Sequence, residues 1–125
     1  MWKTVLGVMA GGAVGALLRW GMDALIPRSS GAVPLGTLVV NLLGCFAIGF
    51  LATWLPRREG LSPHIATAVL TGGLGAFTTF STFALETHEF LAAGRQPLGV
   101  WNVALQVGLG LAGVWAGIAL AQRLA

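Results

Sequence analysis

The chain has 125 residues, of which 56% are hydrophobic and 9% charged, where a soluble domain carries roughly a quarter charged residues. Seven Lys/Arg and four Asp/Glu are too few to cover a water-facing surface, which excludes a soluble globule and makes the bilayer the solvent. The net charge of +3 comes without a basic run longer than Arg57-Arg58, and Cys45 is the only cysteine. A phosphate-binding stripe and an intramolecular disulfide are therefore excluded as well.

Four apolar runs are predicted as transmembrane helices, over residues 4–26, 33–55, 62–92 and 98–122. At about 1.5 Å per residue each is long enough for a hydrocarbon core of about 30 Å. Together they use most of residues 1–125 as one all-α transmembrane domain and leave no room for a soluble one. The prolines mark the breaks. Pro27 and Pro34 bracket the first loop, Pro56 and Pro63 the second, and Pro97 follows Gly94 in the third.

The first span carries Gly7, Gly11 and Gly15 four apart on one face, then Arg19 and Asp23. It has no clear small-residue cleavage site, so it is expected to be retained rather than removed as a leader. Such a glycine stripe lets backbones approach closely in lipid, either for packing within one subunit or for a subunit interface. In the second span Asn41 sits in an apolar run with Thr37 one turn before it, and an amide in hydrocarbon is costly unless paired. The third span reads Thr71-Gly-Gly-Leu-Gly-Ala-Phe-Thr-Thr-Phe-Ser-Thr-Phe83. Three glycines within four residues disfavour helix, so the helix is expected to break over Gly72–Thr79. Either a small site is built there from freed carbonyls and inward hydroxyls, or the helix is kinked and patched by Ser/Thr. The fourth span repeats the glycine stripe at Gly113 and Gly117 and carries Asn102 and Gln106 one turn apart.

With four crossings, the amino end, the 55–62 loop and the carboxyl end share one side, which holds Lys3, Arg57, Arg58 and Arg123. The other side holds Arg28 and Arg95, with Arg19 near that end of its span. A difference of one or two charges barely biases orientation, so either one orientation or both are open. No acidic residue lies at the middle of a span, since Asp23, Glu86 and Glu89 are near ends. A pathway lined by neutral donors suits an anion better than a proton-coupled cation. Phe80 and Phe83 fit this reading, because the edge of an aromatic ring is the positive part of its quadrupole.

Three stretches carry a resemblance over the full chain: Gly11-Gly-Ala-Val-Gly-Ala-Leu-Leu-Arg19, Gly36-Thr-Leu-Val-Val-Asn41-Leu-Leu-Gly44 and Gly75-Ala-Phe-Thr-Thr-Phe-Ser-Thr-Phe-Ala-Leu-Glu86. The sequence resembles the Fluc (CrcB) family of fluoride channels. The resemblance implies an antiparallel, dual-topology homodimer with two pores in a bacterial plasma or inner membrane. It implies passive export of fluoride down its electrochemical gradient, which protects a cell into which hydrogen fluoride leaks and dissociates. By motif position, Asn41 would be the pore amide and Phe80 and Phe83 the aromatic lining, with Thr79 and Ser81 in the same hydroxyl-rich stretch. Arg19 would stand at the pore entrance. Gly75 and Thr78 would hold a structural, untransported sodium ion through their carbonyls. The fourth span departs from the family pattern, with Gln106 where relatives carry serine or threonine and Asn102 a turn before it.

A small dual-topology multidrug exporter would need a carboxylate deep in the first span, which is absent. A non-transporting scaffold subunit would explain the glycine stripes but not the hydroxyl-rich third span. An enzyme is not expected, since His64 and His88 lack the partners of a metal site. Nucleic acid is not expected as a partner.

Overall fold

A computed structural model describes residues 1–26 and 33–124. Pro27 and Arg28 lie outside the described residues, so the first loop and its charge are not placed. The described chain is all-helical, with α1 at Trp2–Leu25, α2 at Leu35–Trp54, α3 at Pro63–Thr67, α4 at Gly75–Phe77, α5 at Phe80–Ala92 and α6 at Gln96–Arg123. A segment of wide, π-type turns, Ala68–Leu74, joins α3 to α4. Among the described residues four stretches are long and apolar enough to cross a membrane: Trp2–Leu25, Leu35–Arg57, Pro63–Ala92 and Gln96–Arg123. The protein is therefore a multi-pass membrane protein.

The prolines act at starts as well as ends. Pro34 is the residue before α2, Pro63 opens α3 behind Ser62, and Pro97 lies in the first turn of α6. In a first turn a missing N–H costs nothing, which is why α6 begins at Gln96, ahead of the expected 98. Pro56 sits in a short 3₁₀ turn, Leu55–Arg57, that extends α2. At the end of α5 the Arg95 N–H returns to the Phe90 carbonyl at 2.8 Å and the Gly94 N–H to Leu91 at 3.1 Å. That closure needs a residue with positive φ, and Gly94 supplies it at +70°.

α1 runs parallel to the first half of the third span, and the contact is backbone to backbone. A Cβ at Gly11 would overlap the Ala68 carbonyl, and one at Gly15 the Gly73 carbonyl. From the other side, a Cβ at Gly72 would come to 2.6 Å from the Val8 carbonyl oxygen. The second close pair is α2 with α6, also parallel. There a Cβ at Gly49 would overlap the Val114 carbonyl and one at Gly117 the Phe46 carbonyl. Both glycine stripes thus pack inside one chain, since lipid offers no hydrophobic drive and van der Waals contact must hold the helices. α5 lies antiparallel to α6 and completes the bundle.

Much of the apolar surface stays open: Trp20, Phe80 and Trp115 are 71%, 77% and 70% exposed. The two rims are marked by arginines stacked on aromatic rings. Arg58 lies 3.8 Å from the Trp54 ring centre at one rim, and Arg95 lies 5.0 Å from that of Phe90 at the other.

Candidate functional site

The glycines of Gly72–Thr79 do not unwind the chain, which stays helical through Phe77. Only Thr78 (φ −81°, ψ 159°) and Thr79 (φ −147°, ψ 111°) are extended. Two extended residues inside an apolar span free backbone groups that lipid cannot satisfy, and side chains from two other helices answer them. The Thr79 N–H donates to Asn41 Oδ1 at 2.8 Å, and Asn41 Nδ2 donates to the Thr79 carbonyl at 3.0 Å. One amide side chain so replaces a whole peptide partner. Arg19, half-buried on α1, donates from Nη1 to the Thr78 carbonyl at 3.2 Å. The Thr78 hydroxyl donates to the Leu74 carbonyl at 3.1 Å.

α2 comes this near because Gly44 has no side chain, and a Cβ there would overlap the Thr78 methyl. Thr79 then caps α5, its hydroxyl accepting from the Thr82 N–H at 3.2 Å and donating to the Thr82 hydroxyl at 2.9 Å. The Ser81 hydroxyl is 3.3 Å away. The α5 amino terminus, with its positive dipole end, therefore opens at the extended pair.

Beside these residues lies a cleft of ≈ 320 Å³. Its walls include Asn41, Gly44, Cys45, Gly75, Thr78, Thr79, Phe80, Phe83, Gln106 and Val107, with no charged side chain among the lining. Phe80 and Phe83 meet edge to face, with centres 5.4 Å apart and planes at 67°. Phe83 is buried, whereas Phe80 is mostly exposed on the flank of the chain. Gln106 is buried on α6 and accepts from Asn41 Nδ2 at 3.1 Å, while its Nε2 is buried without a partner among the described residues. Asn41, Thr79, Phe80, Phe83 and Gln106 are thus brought together. Ser81 is exposed beside them, and Arg19 stands behind the Thr78 carbonyl.

Asn102 is not part of the cleft lining. It is fully buried between α5 and α6, donating to the Thr87 hydroxyl at 2.9 Å, which in turn donates to the Phe83 carbonyl at 2.8 Å. Thr37 donates to Glu86 Oε1 at 2.6 Å, linking α2 to α5. The amino-acid pattern did not single out Thr87, the Thr37–Glu86 pair or Cys45 as part of this region. Thr37 and Asn41 sharing one face was the available signal for the second, and none marked Thr87.

The arrangement offers two chemistries. Amide, hydroxyl and ring-edge groups present positive ends to an anion. Carbonyl oxygens at the end of α4 offer hard ligands to a small cation. The Thr79 N–H that would close a turn onto the Gly75 carbonyl goes to Asn41 instead, so Gly75 loses its helical donor. The Gly75 and Thr78 carbonyls are oxygens of the type a sodium ion takes, the second of them shared with the Arg19 guanidinium. Among the described residues no group of three His, Cys, Asp or Glu side chains is placed to hold a metal.

A family model described as CrcB-like protein, Camphor Resistance (CrcB), matches residues 6–118. The chain is 40% identical over 121 residues to the fluoride-specific ion channel FluC of Rhizobium meliloti (strain 1021), covering 96% of this chain and 97% of that one. It is 44% identical over 124 residues to the fluoride-specific ion channel FluC of Paracoccus denitrificans (strain Pd 1222), covering 99% and 98%. Fluoride-specific ion channel FluC 2 of Symbiobacterium thermophilum (strain DSM 24528 / JCM 14929 / IAM 14863 / T) is 43% identical over 121 residues, covering 94% and 96%.

Proposed function

The chain belongs to the CrcB-like family, and on that premise we propose that it is a fluoride-selective ion channel. It gives passive export of the anion down its electrochemical gradient and makes or breaks no covalent bond. The observation that carries the reading, beside near-full-length identity to relatives named as fluoride-specific channels, is the cleft itself. Its polar lining is amide, hydroxyl and ring edge, with no carboxylate to repel an anion or relay a proton.

Fluoride is small and strongly hydrated, so a pore must replace its water hydrogen bonds with fixed donors. Asn41 and Gln106 supply amides, Thr79 and Ser81 hydroxyls, and Phe80 and Phe83 ring edges. Arg19 contributes a fixed positive charge that raises the local anion concentration. Asn102 acts behind the lining, through Thr87.

The working unit in this reading is an antiparallel homodimer in a bacterial plasma membrane. The exposed Phe80 flank of one copy is covered by the other, and Thr78–Thr79 form the break in the third span around which the two copies meet. A structural sodium ion would sit there on the Gly75 and Thr78 carbonyls and supply a fixed positive charge at the interface. The nearly even Lys/Arg count on the two sides supports insertion in both orientations.

The test is efflux from potassium-loaded liposomes after valinomycin, read with a fluoride electrode and repeated with chloride. Fast fluoride efflux with little chloride efflux, abolished by Asn41→Asp, is the expected result. A folded dimer that passes no fluoride in sodium buffer would overturn the channel reading in favour of a scaffold.

A further inference from the structure

We propose that the rim formed by Trp54, Arg57 and Arg58 binds the phosphate of an anionic phospholipid headgroup. The proposal stands apart from the channel reading and does not depend on it.

The Lys/Arg count of the two sides is nearly even, but the acids are not divided in the same way. One side holds Lys3, Arg57, Arg58 and Arg123 against Glu59 alone. On the other, Arg19, Arg28 and Arg95 are matched by Asp23, Glu86 and Glu89. The formal net charge of +3 therefore belongs entirely to the first side. Orientation during insertion is set by Lys and Arg with little help from acids, whereas a headgroup responds to the summed field. A chain left open in orientation thus still attracts anionic lipid at one end only.

Packing gathers the charges at that end. Thr4 of α1 is 2.7 Å from the His64 ring of α3, so these two helices start together. Gly117 of α6 lies against the backbone of Phe46 and Phe50, so α2 and α6 finish together. Phe50, Trp54 and Arg58 follow one another at single-turn spacing as a ladder. The two rings are 5.8 Å apart and inclined by 24°, and the guanidinium carbon is 3.8 Å from the Trp54 ring centre. A guanidinium lying this close over a ring uses its face and keeps its N–H groups at the edge. Arg57 and Arg58 are exposed, and neither makes an ion pair among the described residues. They stand where the apolar stretch Leu35–Arg57 ends, which is the depth of the headgroups. A phosphate takes parallel N–H groups from such a fork. The ring already holds the fork in place, so less rotamer freedom is lost on binding. Arg95 at the opposite rim is also stacked, 5.0 Å from the Phe90 ring centre, but its side carries no net charge.

The experiment titrates phosphatidylglycerol, and separately phosphatidylcholine, into the protein in neutral detergent and follows the melting temperature. The parent is compared with Arg57→Gln, the pair Arg57→Gln with Arg58→Gln, Trp54→Leu and Arg95→Gln. Phosphatidylglycerol should raise the melting temperature of the parent at a lower lipid fraction than phosphatidylcholine does. The variants should need about fivefold more phosphatidylglycerol for each arginine removed. Trp54→Leu keeps both charges but loses the support, so it should fall between the parent and the pair. Arg95→Gln should titrate as the parent. Arg57→Gln alone guards against a folding defect in the pair, since its side chain is exposed. If the arginine variants titrate as the parent, or if the two lipids act alike, the arginines only complement the carboxyl-terminal end of the α2 dipole, and the proposal falls. It falls too if Arg95→Gln costs as much as the pair, because the attraction would then follow total charge and not this rim. Inorganic phosphate runs as a last arm, and a shift equal to that of phosphatidylglycerol would overturn the lipid in favour of free phosphate.

Discussion

Where α1 meets Ala68–Leu74, contact is made by leaving side chains out; where Asn41 meets Thr79 and Gln106, it is made by putting polar side chains in. The first seam brings carbonyls of one element to within van der Waals reach of glycines on the other. The second spends an amide on an extended peptide and ends in a buried donor, Gln106 Nε2, that has no acceptor among the described residues. A seam of the first kind holds a shape. A seam of the second kind holds a shape and keeps hydrogen-bonding capacity in reserve, which is what a pathway for a desolvated ion requires.

The largest effect is expected from filling the first seam. Gly15→Leu drives a side chain into the Gly73 carbonyl and the Phe77 N–H, neither of which can move as a flexible side chain would. Folded protein recovered after size-exclusion chromatography should fall to near background. Asn41→Leu breaks the second seam instead, leaving the Thr79 N–H and carbonyl both unanswered. At about 1–3 kcal/mol for each buried group, the variant should unfold at clearly lower denaturant and lose fluoride efflux as well.

Thr87→Val sharpens the contrast one step away from the cleft. It removes the acceptor of the Asn102 amide while keeping the shape, so a loss of about 1–3 kcal/mol should appear as a lower melting midpoint. The smallest effect belongs to Gly21→Ala. A Cβ added at that glycine would meet nothing within 4 Å, and alanine favours helix over glycine by about 1 kcal/mol. Melting should be unchanged or slightly raised; a loss as large as that of Gly15→Leu would erase the distinction between glycines that touch and glycines that do not.

The four spans were legible because twenty-residue apolar runs and proline boundaries report directly on the bilayer. The state of Gly72–Phe77 was not. Helix propensities weigh glycine against water, but in lipid an unwound backbone finds no water to bond, and Gly72 is held against Val8. The chain keeps its helical bonding and merely widens its turns. Within the cleft, Asn41, Phe80 and Phe83 could be picked out by residue type and motif. That Asn41 would clasp the Thr79 peptide could not, because nothing in an isolated amide names its partner in an extended pair 38 residues away. The Thr37–Glu86 and Asn102–Thr87 pairs were hidden for the same reason, since each is made by the way α5 is aimed after two extended residues.

The arginines stacked at the rims have a consequence for the membrane around the protein. A free arginine near a helix end can stretch toward water or curl back, and so lets a helix tolerate bilayers of different depth. Arg58 on Trp54 and Arg95 on Phe90 have already committed their length to a neighbouring ring. Reaching further would cost each of them about 0.5–1 kcal/mol of stacking, so part of any mismatch in bilayer thickness is met by tilting the bundle or deforming the lipid.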